Sequence, residues 1–358
     1  MGDRELLDAV TRLSHEFGTE EYVKAGGGNT SCKNAETLWI KPSGTTLAGL
    51  SSESFVAMDR ALLSRLYAAR TPEAAAEREE LVKNMMAAAV RPETPGRASV
   101  EAPLHDSLYA RYVVHTHPAE VNGLTCAVGG RSAAAKLLPD ALWVPYVDPG
   151  YTLCMAVREA VAAYQGARGT QPAVILLENH GVFVAGDTPE AIRESYAGLM
   201  GALRGDYREA GLDAGDVKPA GAPSEEASAE WRRILSEGLG GDAAFVAAAG
   251  RFEVGCGPIS PDHIVYAKSY PFEGVFTSDN LCAFRELRGY APRVVVTGNA
   301  VLGVGASEKN ARLALELALD GAVVRHLAKA FGGIKYLSDR DRGFIENWEV
   351  ESYRSSQM

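Results

Sequence analysis

Residues 113–120 read VVHTHPAE, a β-branched run that carries two histidines one residue apart and is stopped by a proline. The run reads as a strand, and residues i and i+2 of a strand project from one face, so His115 and His117 point the same way. Two imidazoles so placed can share one ion, with nitrogen-to-metal distances of about 2.0–2.1 Å. They can equally be polar residues where a strand leaves the core, and a third ligand has to decide. The candidate is His180 in LLENHGVF (176–183), at the end of a second apolar run, where Gly181 permits a tight turn. Two neighbouring strands ending at one sheet edge would bring His180 to the pair and leave a coordination position open. Just upstream, SVEAPLH (99–105) places His105 four residues after Glu101, on one helical face, so a carboxylate arrives beside the same edge.

Outward from these strands the chain alternates helical and extended patterns. Residues 3–17 set Leu6, Leu7, Val10, Leu13 and Phe17 at helical spacing. AGGGNTS (25–31) is followed by TLWIKPSG (37–44) and FVAMD (55–59), short extended segments punctuated by glycine and proline. Residues 99–110 read as helical, and 189–204 as a helix opened by Pro189. The pattern predicts an α/β domain of the layered α+β kind over residues 1–208, with a central, mostly antiparallel sheet flanked by helices. AGLDAGDVKPAGAPSEE then marks a linker over 209–226, and 227–358 form a smaller C-terminal α/β domain, expected to be non-catalytic. Residues 174–204 and 293–325 both read as strand, turn, short strand ending in glycine, cap and long helix, with His180 opposite Asn299. The C-terminal domain is therefore expected as a degenerate echo of the first, without its histidine.

The 358 residues suit two domains, and 46% hydrophobic with 23% charged residues is a globular composition. A net charge of −10, with no basic cluster longer than two residues, argues against nucleic acid, whose phosphates need a positive footprint. No apolar run is long enough for a membrane span, and MGDRELLDAV is acidic where a signal peptide would be basic, so a cytoplasmic location is expected. Five scattered cysteines without a CxxC pair read as reduced, mostly structural thiols. VVVTGNAVLGVG (294–305) lacks GxGxxG spacing, and GTTLAGLS (44–51) lacks the P-loop lysine, so neither suggests a nucleotide.

AGGGNTSCK, WIKPSGT, SVEAPLH, VVHTHPAEV and ENHGVFVAGDTPE, in that order over about residues 5–205, resemble the class II aldolase/adducin family, which includes fuculose- and rhamnulose-1-phosphate aldolases. The first domain looks most similar to the aldolase half of bifunctional rhamnulose-1-phosphate aldolase/lactaldehyde dehydrogenases. SPDHIVYAK (260–268) and FIENWEVESYR (344–354) resemble their connecting part, while the dehydrogenase half has no counterpart in this sequence. The resemblance implies a metal-dependent aldolase that cleaves a ketose 1-phosphate of the deoxy-sugar type to dihydroxyacetone phosphate and an aldehyde. By matching positions, His115, His117 and His180 would hold a divalent ion, zinc first with manganese, cobalt or iron as alternatives, and Glu101 would be the acid/base. The ion would act as a Lewis acid stabilising an enediolate. Gly28, Asn29, Ser43, Gly44 and Ser99 match phosphate-binding positions. Where fuculose-type relatives have a second serine this chain has Val100, for which Lys33 and Lys41 could compensate.

Three other readings share these motifs. A pentulose-phosphate 4-epimerase would carry aspartate at the Glu101 position, a sugar-phosphate dehydratase could use the same metal and glutamate, and an adducin-like scaffold would do no chemistry. The resemblance further implies a homo-oligomer, a tetramer or a dimer, acting on a small sugar phosphate. Asp262 and His263 are expected in a structural role, and His15 and His326 on the surface.

Overall fold

Short apolar runs separated by glycine and proline turns become two sheets. A computed structural model describes residues 2–94, 96–221 and 223–347. Its Cα packing divides the chain into two units, one comprising the chain up to Val121 with Arg131–Leu203, the other Asn122–Gly130 with the chain from Arg204 onward. The sequence reading placed Asn122–Gly130 with the first domain. That segment instead pairs within the second unit, where Ala127 bridges Ile334 and the Lys335 N–H donates to the Cys126 carbonyl. The interval read as linker carries a 3-10 turn at Ala214–Asp216 and an Ala220–Arg251 bridge, and a helix starts at Glu225.

In chain order the first unit runs α1 (Asp3–Glu16), β1 (Asn29–Lys33), β2 (Thr37–Ile40), β3 (Val56–Asp59), α2 (Arg60–Ser64), α3 (Ala75–Ala89), α4 (Ala102–Ser107), β4 (Tyr112–Thr116), α5 (Ala119–Thr125), α6 (Gly130–Leu137), β5 (Leu142–Val144), α7 (Tyr151–Arg168), β6 (Val174–Leu177), β7 (Gly181–Gly186) and α8 (Pro189–Glu209). Helices α5, α6 and α8 carry residues of both units at their ends. The seven strands order as β3-β2-β1-β4-β7-β6-β5, antiparallel except for the β5–β6 pair. Central β4 is buried on both faces, which is why YVVHT shows no polar alternation. Helices α2 and α3 and the 3-10 turn Arg65–Ala68 after α2 cover one flank through Leu63, Leu66, Val82 and Met86 against Ile40, Val56 and Met58. Helix α7 covers another through Leu153, Val157 and Val161 against Val113, Ile175 and Phe183.

The second unit continues with α9 (Glu225–Leu239), β8 (Phe245–Gly250), α10 (Pro261–Ala267), β9 (Phe272–Glu273), α11 (Ser278–Arg288), β10 (Val294–Val296), β11 (Ala300–Gly305), α12 (Glu308–Leu327) and α13 (Asp339–Asn347). Thr277 and Ser307 side chains cap α11 and α12. Of FIENWEVESYR, residues 344–347 end α13 and 348–354 lie outside the described residues. The sheet orders as β8-β11-β10-β9, antiparallel, antiparallel, then parallel, which is the order and direction of β4-β7-β6-β5. In register, Phe183 opposite His115 corresponds to Leu302 opposite Ala248. Asp262 and His263 are buried, with His263 held between Ser260 (2.8 Å) and Asp320 (3.3 Å). His15 is exposed, and His326 pairs with Asp216 at 3.4 Å.

Candidate metal and acid/base site

Antiparallel pairing of β4 with β7 and the short β6–β7 turn bring the three histidines to one sheet edge. Their ligand nitrogens all lie within 4.8 Å of one another, and all three side chains are buried. His115 Nδ1 sits 2.9 Å from the Val182 carbonyl, which makes it the N–H donor and turns the Nε2 lone pair into the site. The ring stacks on Phe183 at 3.9 Å and 8°, fixing its plane. His117 Nε2 lies 2.9 Å from His115 Nε2, a hydrogen bond in which His117 carries the proton because His115 already donates through Nδ1. Exchanging that proton for a cation would leave convergent imidazole lone pairs, so the donor set fits a divalent ion of the zinc type.

The turn works differently from the sequence reading. Its left-handed residue is Asn179 (φ 53°), a residue type that tolerates this region, whereas Gly181 is needed for space. A Cβ on Gly181 would sit 2.5 Å from the Thr116 carbonyl and 2.6 Å from His117 Cδ2.

Glu101 stands at the N-terminus of α4, with Oε1 3.5 Å from His115 Nε2 and 3.8 Å from His180 Nε2. Asn29 is paired with His115 across β1–β4, and its Nδ2 donates to Glu101 Oε2 at 2.5 Å and to Ser99 Oγ at 3.3 Å. Ser99 Oγ also accepts from the Glu101 N–H at 3.3 Å, which leaves its own proton to donate. Gly28 adopts φ +66°, and a Cβ there would lie 2.6 Å from the His115 carbonyl, so the glycine loop seats directly on the ligand strand. Gly44 is also left-handed, at φ +81°, and the neighbouring Ser43 N–H donates to the Arg97 carbonyl at 2.8 Å. His115, His117, His180, Glu101, Asn29 and Ser99 thus form one connected cluster, with Gly28 against its ligand strand, while Ser43 and Gly44 lie in the turn that follows the Pro42–Ala98 bridge.

Lys33 does not join it. It lies at the far end of β1 from Gly28, is 3% exposed, and donates to the His105 carbonyl at 2.5 Å. Burial pulls its ammonium down to about 7, with Asp106 opposing the shift. Lys41 is buried as well and donates to the Gly26 carbonyl at 3.3 Å, tying the glycine loop to β2. His105 is fully buried against Ser31 (2.7 Å), and burial holds its imidazole well below the ordinary histidine range. The sequence reading missed the Val182 carbonyl and Phe183 as the groups that orient His115. A backbone acceptor leaves no sequence signal, and Phe183 is visible only once the β4–β7 register is known.

The model of the class II aldolase and adducin N-terminal domain matches residues 8–200. The chain belongs to the class II aldolase/adducin family. Among curated relatives, the "Uncharacterized oxidoreductase YuxG" of Bacillus subtilis is 31% identical over 199 residues, covering 51% of this chain and 27% of that protein. The chain therefore spans about a quarter of that relative's length. Among solved structures, the N-terminal class II aldolase domain of a conserved protein from Thermoplasma acidophilum aligns with TM-score 0.47 and 24% identity, over 56% of this chain and 92% of that one. An L-fuculose-1-phosphate aldolase from Thermus thermophilus aligns with TM-score 0.37 and 21% identity, over 57% and 92%. A sugar-phosphate aldolase from Thermotoga maritima aligns with TM-score 0.42 and 13% identity, over 59% and 97%. Among the described residues no helix is long and apolar enough to cross a membrane.

Proposed function

We propose that this chain is a metal-dependent aldolase that cleaves a ketose 1-phosphate, of the deoxy-sugar type, to dihydroxyacetone phosphate and an aldehyde. The observation that carries the reading is the placement of Glu101 Oε1 at 3.5 and 3.8 Å from two of three convergent imidazoles. His115, His117 and His180 would hold the divalent ion, zinc being the best match to an all-imidazole set with an open position. When bound, the ion supplies Lewis acidity for the negative charge that develops on the substrate oxygens.

The remaining work falls to the chain's own residues. In the cleavage direction the hydroxyl of the departing half gives its proton to solvent water and becomes the aldehyde carbonyl. The electron pair of the broken C–C bond passes to the carbon beside the ketone, and Glu101 delivers the proton that completes dihydroxyacetone phosphate. Asn29 holds the other carboxylate oxygen, so Oε1 rather than Oε2 faces the ligand edge. Ser99 and the left-handed Gly28 and Gly44, with Asn29 and Ser43, would border the phosphate, and Ser99 offers it a hydroxyl proton.

A panel of ketose 1-phosphates and free ketoses, incubated with zinc-loaded protein and read by a reductase specific for dihydroxyacetone phosphate, tests the reading. Release of dihydroxyacetone phosphate from at least one phosphorylated ketose is expected. Water loss from a phosphorylated ketose without that release would replace the aldolase by a dehydratase. Metal-free protein in which His117→Ala changes nothing would leave only a scaffold.

A further inference from the structure

The second unit ends its sheet in a strand of unusual composition. Strand β8, FVAAAG, contains no charge and no proline, and Phe245 is 46% exposed. Natural edge strands are ordinarily guarded by lysine, proline, a bulge or a covering segment, because an open row of N–H and C=O groups recruits another strand. Here the covering is partial. Ala220 bridges Arg251, and the Gly221 carbonyl presses on Gly250, where a Cβ would be 2.3 Å from it, so the linker's contacts with this strand lie at its Gly250 end. Among the described residues, no strand pairs with the outer side of Phe245–Ala249.

The matching sheet in the first unit indicates what this edge is built for. Strand β4 occupies there the place that β8 occupies here, and its corresponding side is taken by β1, antiparallel, from Cys32↔Tyr112 to Asn29↔His115. The orientation of the free groups follows from the ladder. The Val304 N–H donates to the Arg293 carbonyl on the β10 side, so by alternation Val301, Gly303 and Gly305 face β8, opposite Ala249, Ala247 and Phe245. Val246 and Ala248 therefore turn their N–H and C=O outward.

We propose that β8 pairs with β8 of a second copy of this chain, antiparallel, across a two-fold axis at Ala247. Val246 then faces Ala248 of the partner copy and the reverse, giving about four backbone hydrogen bonds and one continuous sheet of eight strands, twice the four of one copy. Ala247 faces its own counterpart in the closely spaced, non-hydrogen-bonded position, where Cβ atoms lie about 4.5–5.5 Å apart and a small residue fits. A second copy is the favoured occupant because the strand is self-complementary. On a chain of net charge −10 it is also a stretch where two copies meet without like charges. The pairing is independent of the aldolase reading, since none of its residues belongs to the histidine site.

The test is the solution mass of the full chain by light scattering or sedimentation at micromolar concentrations. Wild type is expected as a dimer or a multiple of one. Ala248→Pro removes an outward donor while sparing the bonds to β11, and should halve the mass with the circular dichroism unchanged. Ala247→Lys should halve it too, and mixing Ala247→Lys with Ala247→Glu should restore it, which a misfolded variant could not do. A monomeric wild type, or an unchanged mass for Ala248→Pro, would overturn the proposal.

Discussion

Gly181→Ala is the smallest change that reaches the proposed metal ligands without altering any of them. The added Cβ would stand 2.5 Å from the Thr116 carbonyl and 2.6 Å from His117 Cδ2, against about 3.5 Å for an ordinary contact, so roughly 1 Å of movement is required. The carbonyl belongs to the backbone of β4 and cannot rotate away. The His117 ring can, but only by leaving the 2.9 Å approach to His115. Overpacking of this kind costs about 1–3 kcal/mol, which lowers the melting temperature by about 2–4 °C per kcal/mol in a chain of this size. Displacing one imidazole should weaken zinc binding about 10- to 100-fold, as loss of an orienting partner does at other metal sites. Competition with a coloured chelator measures the affinity, and calorimetry with and without zinc separates it from stability. Gly186→Ala is the control on the same strand, since its Cβ meets the side chains of Ala191 at 3.2 Å and Ile192 at 3.3 Å and the Ile192 backbone nitrogen at an ordinary 3.4 Å. If Gly181→Ala binds zinc within twofold of wild type at an unchanged melting temperature, the steric argument for the turn is refuted.

Three further outcomes follow from the same geometry. Glu101→Gln should keep its metal while losing about 10²–10⁴ in cleavage rate, and metal analysis beside the coupled assay distinguishes this from a collapsed site. His180→Ala should leave only the His115–His117 pair, and the zinc retained after dialysis against chelator should fall from one equivalent per chain towards none. Lys33 carries a pH signature, because burial lowers it from 10.5 to about 7, so the unfolded chain binds the extra proton between those values. Unfolding free energy should therefore rise with pH across that window, by an amount on the order of 4–5 kcal/mol from this residue. Lys33→Met should lack that part of the slope in urea titrations from pH 7 to 10, and parallel slopes would remove Lys33 as its source.

The ligand edge was legible because its parts are short and local. Each of VVHTH and LLENHG carries a strand, its end and a ligand within a few residues, and SVEAPLH carries the carboxylate at a helix start. What failed to show was set by long-range register. Lys33 reads like a cation near a glycine loop, yet five residues of strand, about 3.3 Å each, carry it away from Gly28 to the carbonyl end of α4. Helix α7 and helix α3 have weak amphipathic patterns because alanines such as Ala87, Ala88, Ala162 and Ala163 lie on their exposed sides and dilute the contrast with the buried face, and neither stands out in the sequence. Strand β5, only three residues long, is recognisable only from its parallel pairing with β6.

The two sheets show how little of the site is fixed by topology. Order, direction and the turn-strand-helix sequence recur from β4-β7-β6-β5 to β8-β11-β10-β9, because apolar runs of similar length meet the same packing requirements. The β10–β11 turn is one residue tighter, since Leu177 pairs with Gly181 whereas Val296 pairs with Val301 and Thr297 bonds Ala300 across it. At the positions of His115, His117 and His180 stand Ala248, Gly250 and Asn299, two without a donor side chain and one with an amide. The vacated end is also filled, by the Ala220 and Gly221 carbonyls 2.2 and 2.3 Å from where a Gly250 Cβ would be, and by Arg251 donating to the Thr297 carbonyl at 2.7 Å. A histidine returned to position 250 would meet backbone rather than open space. The proposed chemistry would therefore depend on three side chains and the room left around them, and the second sheet keeps the order and direction of strands without those side chains.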